Sequence, residues 1–202
     1  MRVEIPVKQL SAISLLVATA AAVRVGMNWV AFASPIPMYG VVVKIGLAET
    51  LTFVSGFVFG PVQGFIAGAL IIIVSDMLTW AGPWTPIIAV IIGLLGVCGG
   101  LLHHVKENPN VVFLGVTAVI LTLVSETLQN LYTTWFYMVS GIPLVEALVM
   151  AFGGGIVSMV TAVISNTVLF TTIAPRIIAI TKKMVMSKPE EHVGLEKSEE
   201  NL

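Results

Sequence analysis

Apolar residues dominate the chain in six runs, each closed by glycine, proline or charge: Lys8 to Val30, Val41 to Phe59, Val62 to Trp80, Pro86 to Leu102, Val111 to Val139 and Leu144 to Ile180. Runs near the roughly 20 residues that cross a bilayer predict membrane helices. The second is the exception. Lys44 and Glu49 leave only Thr50 to Phe59 free of charge, which predicts a short or tilted helix buried among the others. Gly60-Pro61 reads as a tight junction, the stretch from Trp80 to Pro86 holds a Gly-Pro turn, and Gly141-Ile142-Pro143 ends the fifth run. The expected fold is an all-α integral membrane protein, a bundle of six transmembrane helices.

Composition agrees with the runs. The 202 residues are 57% apolar and 10% charged, with a mean hydropathy of +1.00, whereas a soluble domain carries roughly 25% charged residues to coat its surface. With six spans and the N-terminus inside, the cytoplasmic side receives Arg2, Lys8, Lys106, Arg176, Lys182, Lys183, Lys188 and Lys197, and the outer side only Arg24 and Lys44. This is the asymmetry expected when Lys and Arg are retained in the cytoplasm, so both termini are placed there. An odd number of spans would separate the basic tail from Arg2 and Lys8. Met1 to Gly26 has the basic start and Ala-rich end of a signal peptide, but the apolar region continues through Met27 to Ala33, and the segment is read as retained.

The chain divides into a membrane domain, 1–181, and a Lys- and Glu-rich tail, 182–202, with too few apolar residues to fold alone. No basic cluster interleaved with aromatics suggests nucleic acid. The lone Cys98 sits in an apolar run, which excludes an intramolecular disulfide and disfavours a Cys-type metal site. His103 and His104 are adjacent and do not share a helical face. Phosphate-binding loops, HExxH pairs and Gly-x-Ser-x-Gly elbows are missing from the sequence. Neither an enzyme nor a resident cofactor is expected.

Polar residues within hydrocarbon are costly and therefore informative. Glu126, Gln129, Asn130, Thr133 and Tyr137 recur at helical spacing on one face of the fifth run. The assumed orientation brings them toward the outer ends of neighbouring helices, with Arg24, Asn28, Trp29, Asp76, Thr79, Trp80, Trp84 and Thr85. The Ser34 to Gly46 connection, with Lys44, lies there too, followed by Glu49. The inner half is barer, with Asn166 its main isolated polar residue. A polar, aromatic pocket opening outward is the simplest arrangement, and its candidate ligand contacts are Trp80, Trp84, Glu126, Asn130, Trp135 and Tyr137, with Asp76 and Lys44 nearby.

Alternatives stand beside this reading. The aromatic residues also fit a belt at one membrane boundary. Asp76 is near enough to a helix end to be solvated. Glu126, in the middle of a long apolar run, serves either a ligand or ion, or a structural pair with Arg24. Small residues form a second pattern: Ser14, Ala18 and Ala22 on the first helix, Gly93, Gly96 and Gly100 on the fourth, and Gly153 to Gly155 on the sixth. Close internal packing is the default for such faces, and the first-helix stripe is the best candidate for contact with a second protein.

Several motifs together resemble the substrate-binding S components of energy-coupling factor (ECF) transporters. They are Lys44-Ile-Gly-Leu-Ala-Glu49, Gly56-Phe-Val-Phe-Gly60-Pro61-Val-Gln-Gly64, Ser75-Asp76-Met-Leu, Trp84-Thr-Pro86 and the Gly-rich fourth helix. The resemblance covers about residues 5–180. It implies capture of a vitamin or similar small molecule from outside, gated by the first connection. It also implies docking through a small-x-x-x-small motif, here Ser14 and Ala18 extended by Ala22, onto a transmembrane coupling subunit driven by two cytoplasmic ATPases. Ser14 departs from the usual alanine. The vitamin is left open: an acidic pocket with Trp rings suits a cationic heterocycle, while Arg24 and Lys44 suit a carboxylate. The competing functions are a stand-alone ion- or proton-coupled carrier that titrates Glu126, and a membrane enzyme or assembly factor.

Overall fold

The computed structural model describes residues 7–33 and 45–186. Over these the chain is helical: α1 (Val7–Ala33), α2 (Leu47–Phe59), α3 (Pro61–Leu78), α4 (Thr85–Val105), α5 (Val111–Val139), α6 (Leu144–Thr172) and α7 (Ala174–Met186). Five of them, α1, α3, α4, α5 and α6, are long and apolar enough to cross a membrane. Their outer faces carry exposed Leu15, Ile120, Val145, Val149 and Ile164, a surface that suits lipid and not water.

α2 differs in kind. Its 13 residues rise only about 20 Å, less than the ~30 Å of a hydrocarbon core. Thr50 through Phe57 are all buried, so α2 is enclosed by its neighbours. Its start is held at α6, where the Gly46 amide donates to Ser165 Oγ at 3.1 Å. Beside it Asn166 Nδ2 donates to Thr122 Oγ1 at 2.9 Å and links α6 to α5.

The α2–α3 junction explains Gly60-Pro61. Gly60 has φ +105°, a left-handed conformation that glycine adopts without steric cost, and Pro61 takes the first helical position, where its missing N–H removes no bond. The reversal lays α2, α3 and α4 so close that glycine backbones touch. A Cβ on Gly56 or on Gly64 would strike the Gly96 carbonyl, and one on Gly100 would strike Pro61. α1 packs on α3 and α2, while α5 and α6 pack chiefly on each other and meet the first group sparsely, through α4 and α2.

The sixth apolar run is not one helix. It breaks at Ile173, because Pro175 has no N–H to continue the ladder of α6 and is tolerated only in the first turn of a new helix. α7 then turns to pack on α2, α6 and α1. It extends to Met186, past the 181/182 division drawn from composition; residues 187–202 lie outside those described. At this end Phe53, Phe57, Leu95, Leu114, Ala118, Phe170 and Ile178 form a closed core, with the Phe53 and Phe170 rings 4.8 Å apart. Lys182 caps it, donating to the Glu107 carbonyl at 3.0 Å. The opposite end, where α1, α3 and α5 finish, is hollow.

Candidate functional site

Two adjoining cavities, of about 410 Å³ and about 320 Å³, occupy that hollow. All six of the first helices contribute to the larger one: Val23 and Arg24 from α1, Ala48 and Glu49 from α2, Ile72 from α3, Ile88 and Ile92 from α4, Gln129 and Asn130 from α5, and Ala151 and Gly154 from α6. The smaller adds Trp84, Glu126, Tyr132 and Phe136. Ile88, Gln129, Asn130, Thr133, Tyr137 and Ser158 line both, so the two form one chamber. It lies along the seam between the glycine-packed helices and the α5–α6 pair, with the first turn of α2 in its wall.

The polar face of α5 supplies one side of this chamber. Gln129 Nε2 donates to the Ser125 carbonyl at 3.3 Å, and the Thr133 hydroxyl donates to the Gln129 carbonyl at 3.0 Å. Asn130 is 9% exposed. The Thr134 hydroxyl binds its backbone carbonyl, and its carboxamide makes no hydrogen bond within the described residues. The Ser158 hydroxyl, on α6, is likewise unengaged there. Glu126, 3% exposed, lines the smaller cavity.

Asp76 is not a solvated helix-end residue. It is 3% exposed and pairs with Arg24, Nη2 to Oδ1 at 2.9 Å. The Thr85 hydroxyl donates to its other oxygen at 2.8 Å and itself accepts from the Gly82 amide at 3.1 Å. Alongside, Asn28 Nδ2 donates to Thr79 Oγ1 at 3.2 Å. The physical reason is the approach of α1: it delivers a guanidinium to the end of α3, and a buried carboxylate is tolerated once it has a charge partner and a hydrogen bond. Asp76 lines neither cavity, whereas Arg24 lines the larger one.

The sequence candidates therefore separate. Trp84, Glu126, Asn130 and Tyr137 come together in the chamber. Trp80 and Trp135, 62% and 56% exposed, line neither cavity. The Trp135 ring packs against Tyr132 with centroids 5.8 Å apart, and Trp135 departs from the polar face of α5. Lys44 lies outside the described residues. Sequence reasoning missed Ser158 and the α6 wall, although Ala147, Ala151, Gly155, Ser158, Ala162 and Asn166 form a stripe of small and polar residues at helical spacing.

On the first helix the structure sorts two small-residue faces. Ala12, Ala20 and Ala21 are buried against the bundle, while Ser14, Ala18 and Ala22 are exposed.

In its contents the chamber suits a flat, polar small molecule. Trp84, Tyr132, Phe136 and Tyr137 offer rings for stacking, Ile72, Ile88 and Ile92 an apolar wall, and the amides and hydroxyls hydrogen-bonding groups. Its volume falls within the roughly 300–1,000 Å³ of small-molecule sites. No curated protein and no solved structure matches the chain. A family model described as "ECF-type riboflavin transporter, S component" matches residues 4–196. The chain belongs to that family: it is a multi-pass cell-membrane protein, the substrate-binding subunit of a vitamin transporter and not an enzyme.

Proposed function

We propose that the chamber captures riboflavin from outside the cell and that this chain delivers it with the help of a coupling module. The observation that carries the reading is the pair Asn130 and Ser158, buried on the wall common to both cavities with side-chain polar groups unengaged by the described residues. Both groups face the cavity, where their hydrogen-bonding capacity is open to a ligand. Riboflavin fits chemically. Its ring system is flat enough to stack on Trp84 or Tyr137, its imide edge presents both donors and acceptors to amides, and its polyol chain suits Glu126, Gln129 and Thr133. The family to which the chain belongs, described as riboflavin transporters, supports the same cargo.

In this reading the chain crosses the membrane six times, with α2 as a short enclosed crossing and both termini cytoplasmic. Lys8, Lys106, Arg176, Lys182 and Lys183 lie at the closed end of the bundle, and Arg24 lies at the chamber end, which supports that orientation. The exposed Ser14, Ala18 and Ala22 face docks onto the transmembrane coupling subunit, and two ATPases supply the energy. Ala18→Trp is expected to leave riboflavin binding intact while abolishing co-purification with the coupling subunit; lost binding with docking retained would refute the assignment.

Uptake by cells or vesicles with and without the coupling module tests the whole reading. Module-dependent uptake with 1:1 binding supports it. Uptake by the lone chain that collapses with a proton or sodium ionophore would replace it with a carrier that titrates Glu126.

A further inference from the structure

α6 carries three consecutive glycines in mid-helix, Gly153, Gly154 and Gly155, a costly place for that residue. They are not equivalent. A Cβ on Gly153 or Gly154 would meet nothing within 4 Å, so packing does not require glycine at either. On Gly155 it would lie 2.5 Å from Asn130 Oδ1, 2.9 Å from Nδ2 and 3.0 Å from Cγ. All three atoms belong to the carboxamide, and its oxygen and nitrogen would be closer than a carbon contact tolerates. Any side chain at 155 therefore drives that group out of its present position.

The carboxamide has no other tether among the described residues: the hydrogen bond at Asn130 is made by its backbone carbonyl, with Thr134. We propose that Gly155 is a positioning residue for Asn130, its bare backbone selecting the side-chain conformation in which the amide is presented to the chamber. The inference rests on the chamber being the vitamin site and adds how α6 sets affinity through a group on α5. One glycine of the three then sets recognition without touching the ligand through a side chain.

A double-mutant cycle in the full-length purified protein tests it. Riboflavin is titrated by calorimetry into wild type, Gly155→Ala, Asn130→Ala and the double variant, with Gly153→Ala as a control for helix propensity. Gly155→Ala is expected to weaken binding about tenfold in the wild-type background and less than twofold beside Asn130→Ala, while Gly153→Ala stays within twofold of wild type. Unchanged affinity in Gly155→Ala, or the same loss in both backgrounds, would overturn the inference. Melting of the ligand-free proteins gives a reading independent of the vitamin. Gly155→Ala should raise Tm less where Asn130 is present than beside Asn130→Ala, because only there does the new methyl displace the carboxamide; equal shifts in both backgrounds would also overturn it. Wild-type protein that binds no riboflavin would instead refute the functional reading, with the melting cycle still deciding the positioning role.

Discussion

Glycine does opposite things in the two halves of this bundle. In α2, α3 and α4, Gly56, Gly64, Gly96 and Gly100 let backbones touch, and a Cβ at any of them would collide with main-chain atoms. On α6, Gly153 and Gly154 face open space and Gly155 faces one movable carboxamide. The first group makes a body whose helices are fixed by direct contact, reinforced at the chamber end by the Arg24–Asp76 pair. The second leaves room. Because α5 and α6 meet that body sparsely, the seam between them is where a cavity survives, and every helix from α1 to α6 reaches it. A membrane bundle gains little from hydrophobic burial between helices, since lipid is equally apolar, so close packing in one half and its absence in the other are what separate scaffold from site.

The largest effect expected on this contrast is at the ion pair. Asp76→Asn leaves Arg24 without its charge partner and should cost about 3 kcal/mol, the lower end of the range for breaking a buried pair because Arg24 is partly exposed. Arg24→Leu combined with Asp76→Leu should recover most of that loss in thermal unfolding in detergent, and a double variant as unstable as the single would break the account of the body. Next, Gly96→Ala should destabilise by about 1–3 kcal/mol through overpacking, whereas Gly153→Ala should be neutral or stabilise by about 0.5–1 kcal/mol. Equal effects of the same substitution at both positions would erase the distinction drawn here.

Smaller changes are expected in binding. Glu126→Gln should weaken riboflavin several-fold without unfolding the protein, and unchanged affinity by calorimetry would remove Glu126 from the site. Trp80→Ala and Trp135→Ala should leave affinity within about twofold, since both rings lie outside the chamber; a large loss at either would move the site outward.

Much of this architecture was legible as run lengths. The α5 run from Val111 to Val139 has the bounds of the helix, and Lys44 and Glu49 at the start of the second run foretold a short helix enclosed by others. The α6–α7 break was hidden because hydropathy stays high through Ile177, Ile178 and Ile180 and does not register a missing amide at Pro175. Within the site, helical spacing on α5 identified Glu126, Asn130 and Tyr137 as one face. It offered no means of pairing Asp76 with Arg24, which depends on how α1 lies along α3. Trp80 and Trp84 sit on either side of one turn, and only the packing of α4 against α5 brings Trp84 alone to the cavity. Ser158 was visible in the small-residue stripe of α6, but a packing face and a cavity wall have the same sequence pattern.

The central claim is that the chamber along this seam is the vitamin site, and calorimetric titration of riboflavin into the purified chain, wild type against Asn130→Ala, tests it most directly. The account predicts saturable 1:1 binding to the wild type and affinity reduced about tenfold or more in the variant, roughly the 1.4 kcal/mol of one buried hydrogen bond. No saturable binding, or equal affinity in the two proteins, would contradict it.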